Sequence, residues 1–237
     1  MWENIDERGA ITQVGAPERP ESLSRVVFDE IRARILDGRL RAGEPLPERD
    51  ISAELDVSRV PIREALPLLE AAGLVKLSKR RPAVVTFVTR SGVDELYDIR
   101  SALEPLIAKK AAAAVVRGAD ASVLMGALER AGVALDGGDL DAFHYSSGQV
   151  HKGIEALAGN TLYVTITEPL RERSERLNVA NMERDPAKRH GEHVALVEAI
   201  AQADVELAAA VAYSHVEWGR ARTFETLSSV PGYDPNQ

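Results

Sequence analysis

The sequence predicts a mainly α protein in two parts: an N-terminal winged helix-turn-helix with a small β-hairpin wing, then a C-terminal all-helical bundle. Three observations predict it. Two short apolar helical faces lie within Pro47–Gly73, joined by Leu55-Asp56-Val57-Ser58, which is too short for anything but a tight turn. Two β-prone runs, Leu74–Leu77 and Ala83–Val88, enclose the basic turn Ser78-Lys79-Arg80-Arg81-Pro82. Beyond Thr89 the chain becomes a series of long amphipathic segments broken at Gly, Asn and Asp. These shifts in texture divide the chain into an arm at 1–21, a winged module at 22–88, a bundle at 89–229 and a tail at 230–237.

Met1–Glu21 is polar, carries Gly9, Gly15, Pro17 and Pro20, and is expected to be a flexible arm. Ser22 is placed to cap a first helix over Leu23–Asp37, with Val26, Val27, Ile31 and Ile35 inward and Gly38 ending it. Leu40–Pro45 is a turn-forming connector. Ile51, Leu55 and Val57 mark the face of the next helix; Ile62, Leu66 and Leu69, with Leu74 beyond, mark the one after. Between them Asp56 is among the few non-Gly residues that tolerate a left-handed backbone. Ser58 is placed to cap the second helix by accepting from its free N–H groups.

The bundle begins with Ser91–Val116, whose Leu96, Ile99, Leu103, Leu106 and Ile107 are expected inward. Ala121–Leu135, Leu140–Leu157 and Leu162–Val179 follow, the last bent at Pro169. Ala187–Ala203 and Asp204–Leu227 complete six helices, with Asp204 capping the last. In such bundles sites are built from side chains on facing helices.

Length and composition set outer bounds. At 237 residues the chain can form one or two domains with a real core. Having no Cys, it has neither a disulfide framework nor a thiolate metal site, which suits a reducing cytoplasm. No apolar run approaches membrane-spanning length, and Met1–Ala16 lacks the basic-then-apolar order of a signal peptide. The net charge of −8 argues against nucleic acid only on average. Ser22–Arg90 holds thirteen Lys or Arg against ten Asp or Glu, a net of +3, and the local potential is what a polyanion meets.

The second helix of a helix-turn-helix is shaped to enter a DNA major groove. Arg59 and Arg63 lie four apart near its start and share a face. Arginine grips guanine edges or phosphates with two parallel hydrogen bonds. Arg80 and Arg81 in the wing are placed to touch the DNA backbone or minor groove. Pattern alone leaves two plain alternatives open: a solvated helical hairpin with surface arginines, and an ordinary basic turn.

The run Leu36-Asp37-Gly38-Arg39-Leu40-Arg41-Ala42-Gly43-Glu44-Pro45-Leu46-Pro47-Glu48-Arg49-Asp50-Ile51, followed by Leu55-Asp56-Val57-Ser58-Arg59-Val60-Pro61-Ile62-Arg63-Glu64-Ala65-Leu66, resembles the GntR-type transcription regulators. Ile99-Arg100-Ser101-Ala102-Leu103-Glu104 and the stretch from His193 to His215 are similar to the FadR branch, with its all-helical FCD ligand domain. The resemblance covers Ser22 to Leu227. It implies DNA contacts from Arg49 and from Ser58, Arg59, Val60, Pro61 and Arg63, joined by Arg80 and Arg81 of the wing. It also implies a homodimer on a palindromic operator of double-stranded DNA, and a small-molecule effector. Three departures stand out: Asp56 replaces the usual Gly, Pro67 sits inside the recognition helix, and Pro82 takes a wing-tip position usually held by Gly. An interior Pro costs about 3 kcal/mol or bends the helix.

Spacings of 42 residues between His151 and His193, and 22 to His215, carry no metal signature of their own. The resemblance implies that these three hold a divalent transition ion, Zn or Ni by the preference of neutral imidazole. The fourth ligand is usually a carboxylate one turn before the first histidine. Here that position is Ser147, which leaves room for water or for the effector's own carboxylate. His144, seven residues before His151, lies too far along the axis to substitute. Arg100 is placed to pair with an anionic effector, or simply with Glu104 one turn on. The expected effector site is thus Arg100, Ser147, His151, His193 and His215.

Together these features predict a cytoplasmic, metabolite-responsive repressor released by a small carboxylate or sugar acid. Two other readings compete. Three histidines around zinc could activate water for hydrolysis, with Glu155 or Glu192 as general base. Alternatively the metal only stabilises the bundle.

Overall fold

The computed structural model describes residues 22–178 and 185–236. The arm at 1–21 lies outside them, as does Val179 at the expected end of the fourth bundle helix.

The winged module runs α1 (Leu23–Leu36), β1 (Pro45–Leu46), α2 (Glu48–Glu54), α3 (Arg59–Ala71), β2 (Val75–Ser78) and β3 (Arg81–Val85). Ser22 Oγ accepts from the Arg25 N–H at 3.3 Å and starts α1. Val27, Phe28, Ile31 and Ile35 form its buried stripe, while Val26, expected inward, faces solvent. Phe28 takes its place because positions 28, 31 and 35 follow the helical period on the core side. Ile62, Leu66, Leu69 and Leu74 are all buried and pack with that stripe in one core. Asp56 takes φ +51° and closes the turn as expected.

Two local expectations need correction. Ser58 occupies the cap position of α3 with an extended backbone, yet its side chain makes no capping hydrogen bond. Pro67 lies inside α3 as expected, and the helix continues to Ala71. Its ring lies on the exposed face, so the Arg63 carbonyl it leaves without an N–H partner can turn to water. Pro82 is not at the wing tip but inside β3; the tip is Lys79-Arg80, with Arg80 left-handed at φ +63°. The sheet also has a strand the sequence did not announce. Its antiparallel order is β1-β3-β2, with Leu46 of β1 opposite Ala83 of β3.

The bundle comprises α4 (Arg90–Val116), α5 (Ser122–Asp136), α6 (Leu140–Ala158), α7 (Thr161–Asn178), α8 (Pro186–Ala201) and α9 (Val205–Thr226), then a short 3-10 turn at Leu227–Ser229. Polar caps set most starts: Thr89, Asp139, Asp185 and Asp204 each accept a backbone N–H at the head of α4, α6, α8 and α9. In α4, Leu96 and Ile107 are buried and Leu103 partly so, but Ile99 and Leu106 face solvent. The inner face of α4 is instead supplied by small side chains, Ala108, Ala111 and Ala112, which pack with Ala208 and Ala212 of α9. Among the described residues no helix is long and apolar enough to cross a membrane.

The two parts are joined at a tightly bonded crossing. Arg176 of α7 donates from Nη1 to Thr86 Oγ1 at 3.0 Å, and from Nη2 to the Thr86 carbonyl at 2.9 Å and the Pro231 carbonyl at 3.2 Å. Val88 donates to the Gly232 carbonyl and accepts from the Asp234 N–H, so the C-terminal segment runs beside the linker. Arg32 of α1 pairs with Glu172 and Glu175 of α7.

Candidate functional sites

The residues expected at DNA are mostly on the surface. Arg49, Ser58, Arg59, Val60 and Arg63 are exposed, as are Arg80 and Arg81 in the wing. Pro61 is the correction: it is buried on the inner side of α3 and presents nothing to a groove. Its neighbour Val60 is 62% exposed, an apolar side chain with no place in the core. Arg63 Nε donates to Glu48 Oε2 of α2 at 2.7 Å. Both partners reach solvent, so this pair holds the guanidinium in place weakly.

Inside the bundle, α6, α8 and α9 bring His151, His193 and His215 together. One ring nitrogen from each lies within 4.8 Å of the others. The rings of His151 and His193 stand nearly perpendicular with centroids 5.0 Å apart. Ligands of a tetrahedral ion at about 2.0–2.1 Å sit roughly 3.4 Å apart, so a small closing movement suffices. Two further observations fit an ion. Both ring nitrogens of His193 are buried without a hydrogen-bond partner, an arrangement costly for imidazole unless something else takes a lone pair. His215 Nδ1 lies 2.9 Å from Glu192 Oε2, which fixes the tautomer and leaves Nε2 to ligate. Burial pushes His151 down to about 3, helped by His215, and burial likewise lowers His193, so these imidazoles stay in the neutral form that ligates. Ser147 is also buried here, and its Oγ has no hydrogen-bond partner.

Ser147, His151 and His215 line a cavity of about 460 Å³ that also takes in Arg100, Glu104, Tyr163, Arg171, Arg189 and Trp218, with His193 fully buried behind them. Arg100 Nε donates to Glu104 Oε1 at 2.6 Å, and its guanidinium lies over the Tyr97 ring. Burial pushes Glu104 up, but the Arg100 charge and hydrogen bond, with His151 and His215 nearby, together outweigh it and hold the carboxyl below its ordinary value. His144 is on the wall, outside the three-ring cluster. Both carboxylates of the hydrolase reading are engaged: Glu155 takes two hydrogen bonds from Arg171 Nη2, and Glu192 holds His215 through Oε2.

Several lining residues escaped the sequence. Arg189 stands four residues before His193, the same one-turn offset that singled out Ser147, so that signal was present. Arg32 and Leu36 reach the cavity from α1 of the winged module, and no local pattern could have shown it.

A helix-turn-helix with arginines exposed at the start of its second helix, joined to a bundle whose cavity holds arginine, histidine and carboxylate groups, fits a DNA-binding regulator with a ligand domain. Residues 23–85 match the family of bacterial regulatory proteins of the gntR family, and residues 95–217 match the FCD domain. The chain belongs to the GntR family of transcription regulators, in its FCD-containing form, and not to a family of enzymes. It is 41% identical over 83 residues to the gluconate operon transcriptional repressor of Bacillus subtilis, covering 35% of this chain and 33% of that one. It is 29% identical over 99 residues to the transcriptional repressor RspR of Escherichia coli, covering 42% of each. The chain thus spans well under half the length of these curated relatives. The fold is similar to that of E. coli McbR/YncC, with a TM-score of 0.70 at 20% identity over 87% of this chain and 99% of that one.

Proposed function

We propose that this chain is a homodimeric, metabolite-responsive repressor that binds a palindromic operator and releases it when a small carboxylate or sugar acid enters the bundle. The observation that carries the reading is the cavity: its wall joins two residues of the histidine cluster, an arginine-carboxylate pair and two residues of the winged module. Named repressors among the relatives, one of a gluconate operon, support both the direction of regulation and the effector class.

His151, His193 and His215 are the residues that would hold a divalent transition ion, Zn or Ni, with Ser147 leaving a coordination position open. The ion would supply a Lewis-acidic anchor for an anionic oxygen. Arg49, Ser58, Arg59, Val60 and Arg63 would meet the major groove, and Arg80 and Arg81 the flanking backbone. Because Arg32 and Leu36 belong to the wall, a ligand that changes their packing favours one placement of the winged module over another. Effector and operator then compete through a shared equilibrium.

Elemental analysis of protein purified without chelator, followed by footprinting on inverted-repeat DNA with and without carboxylates and sugar acids, tests this. Stoichiometric metal, a symmetric footprint and its loss with one of these acids are expected. An asymmetric footprint from a monomer, or a footprint indifferent to every acid, would overturn it.

A further inference from the structure

Resting on the effector reading above, we infer that the ligand is a dicarboxylate, with one acid group at the histidine cluster and the second on Arg189. The cavity's other cations are largely matched. Arg100 is held by Glu104, Arg171 by Glu155, and Arg32 by Glu172 and Glu175. Arg189 differs: its guanidinium makes no hydrogen bond or ion pair among the described residues, although it lines the cavity one turn from His193. Burial, with Arg222 and Arg100 nearby, lowers its pKa, while the Glu192 charge counters only the smallest part. A partly buried guanidinium without a counter-charge is a standing cost that an anion entering from solvent removes.

Charge across the whole cavity points the same way. Its wall carries five arginines against four glutamates, with Glu172 just off it on Arg32, so the excess is the charge that a divalent ion would bring. A single carboxylate would leave half of that excess uncompensated; a diacid balances it and gives the planar fork of Arg189 a two-oxygen partner. The volume of about 460 Å³ accommodates a short-chain diacid with space for water.

Calorimetry on the zinc-loaded full chain tests this, with the diacids malonate, succinate, glutarate and adipate set against monoacids of matching length. At least one diacid should bind roughly 10- to 100-fold tighter than its monoacid, the range for a hydrogen-bonded charge. Arg189→Met should erase that difference while leaving monoacid affinity within about threefold. Arg189→Lys should recover part of it, since it keeps the charge and loses the fork. Zinc content and melting temperature report whether each variant folds, with Arg189→Gln as the substitute if the Met variant does not. Equal binding of mono- and diacids, or a preference for diacids that survives Arg189→Met, would overturn this inference and leave the effector reading standing. Failure of every acid to bind zinc-loaded protein would overturn both.

Discussion

The recognition helix and the bundle cavity are both rich in arginine, but they hold it differently. On α3 the guanidiniums are exposed, and the one with a partner, Arg63, has Glu48 in a solvated pair. In the cavity Arg100 and Arg171 are pinned to carboxylates in a partly buried setting, where the same Coulomb attraction is screened less. The difference teaches what each region can do. A solvated charge is available to a polyanion at once, and its contribution falls with salt; a pinned charge positions the wall and yields only to a ligand that replaces its partner.

The largest expected effect lies in the cavity. His193→Ala leaves two histidines of the cluster, so zinc affinity should fall by roughly a thousandfold or more, and metal-linked stabilisation should vanish. Zinc titration followed by melting measures it; unchanged zinc content would reduce the cluster to core packing. Ser147→Asp comes next, adding a fourth oxygen ligand beside His151. It should tighten zinc and weaken an anionic effector, because the new carboxylate takes the open position. Calorimetry for both ligands decides. On the exposed side, Arg59→Ala should cost about 1–3 kcal/mol of operator discrimination with the melting temperature nearly unchanged. Gel shifts at wild-type affinity would remove Arg59 from the interface.

Acidity separates the regions further. In metal-free protein the His151 pKa falls from its ordinary 6.5 to about 3, so the unfolded chain binds the proton first as pH drops. The stability this residue contributes is intact above about pH 6.5 and is lost progressively toward pH 3. Urea midpoints for wild type and His151→Gln should converge over that window. Smallest of all, Glu48→Ala frees Arg63 and should shift stability by under about 1 kcal/mol; a larger loss in denaturant titration would mean the pair organises α2 against α3.

How far the sequence carried depended on the range of the contacts. The winged module was legible because Ile31 and Ile35, Ile62 and Leu69, and the left-handed Asp56 each obey a local rule. Its misreadings were at places where two elements compete for one residue: Val26 lost its core position to Phe28, and Leu46 was recruited as a strand by β3. In the bundle, helix starts followed their caps, but Ile99 and Leu106 were misplaced because the α4–α9 contact uses alanine, which carries little hydrophobic signal. The histidines were found through resemblance, since spacing alone said nothing. Arg32 on the cavity wall was beyond any pattern, being set by how α1 meets α7.

That meeting has a mechanical consequence. Tyr163 and Thr167, before Pro169 in α7, touch the cavity, as do Leu170, Arg171, Ser174 and Glu175 after it. Glu172, Glu175 and Arg176, in the second half, grip the winged module, and Arg173 lies so close to Gly73 that a Cβ there would meet its Nε at 2.5 Å. The helix has 18 residues, a rod of about 27 Å. Pro169 sits between the halves and removes a backbone hydrogen bond where they join. Such a rod is a lever with its fulcrum near the proline: a tilt of about 5° of the half beyond it carries the far end roughly 1 Å. Because Arg176 bolts that end to Thr86 and Pro231, the displacement passes to the module as a whole and is not absorbed by slack in the linker.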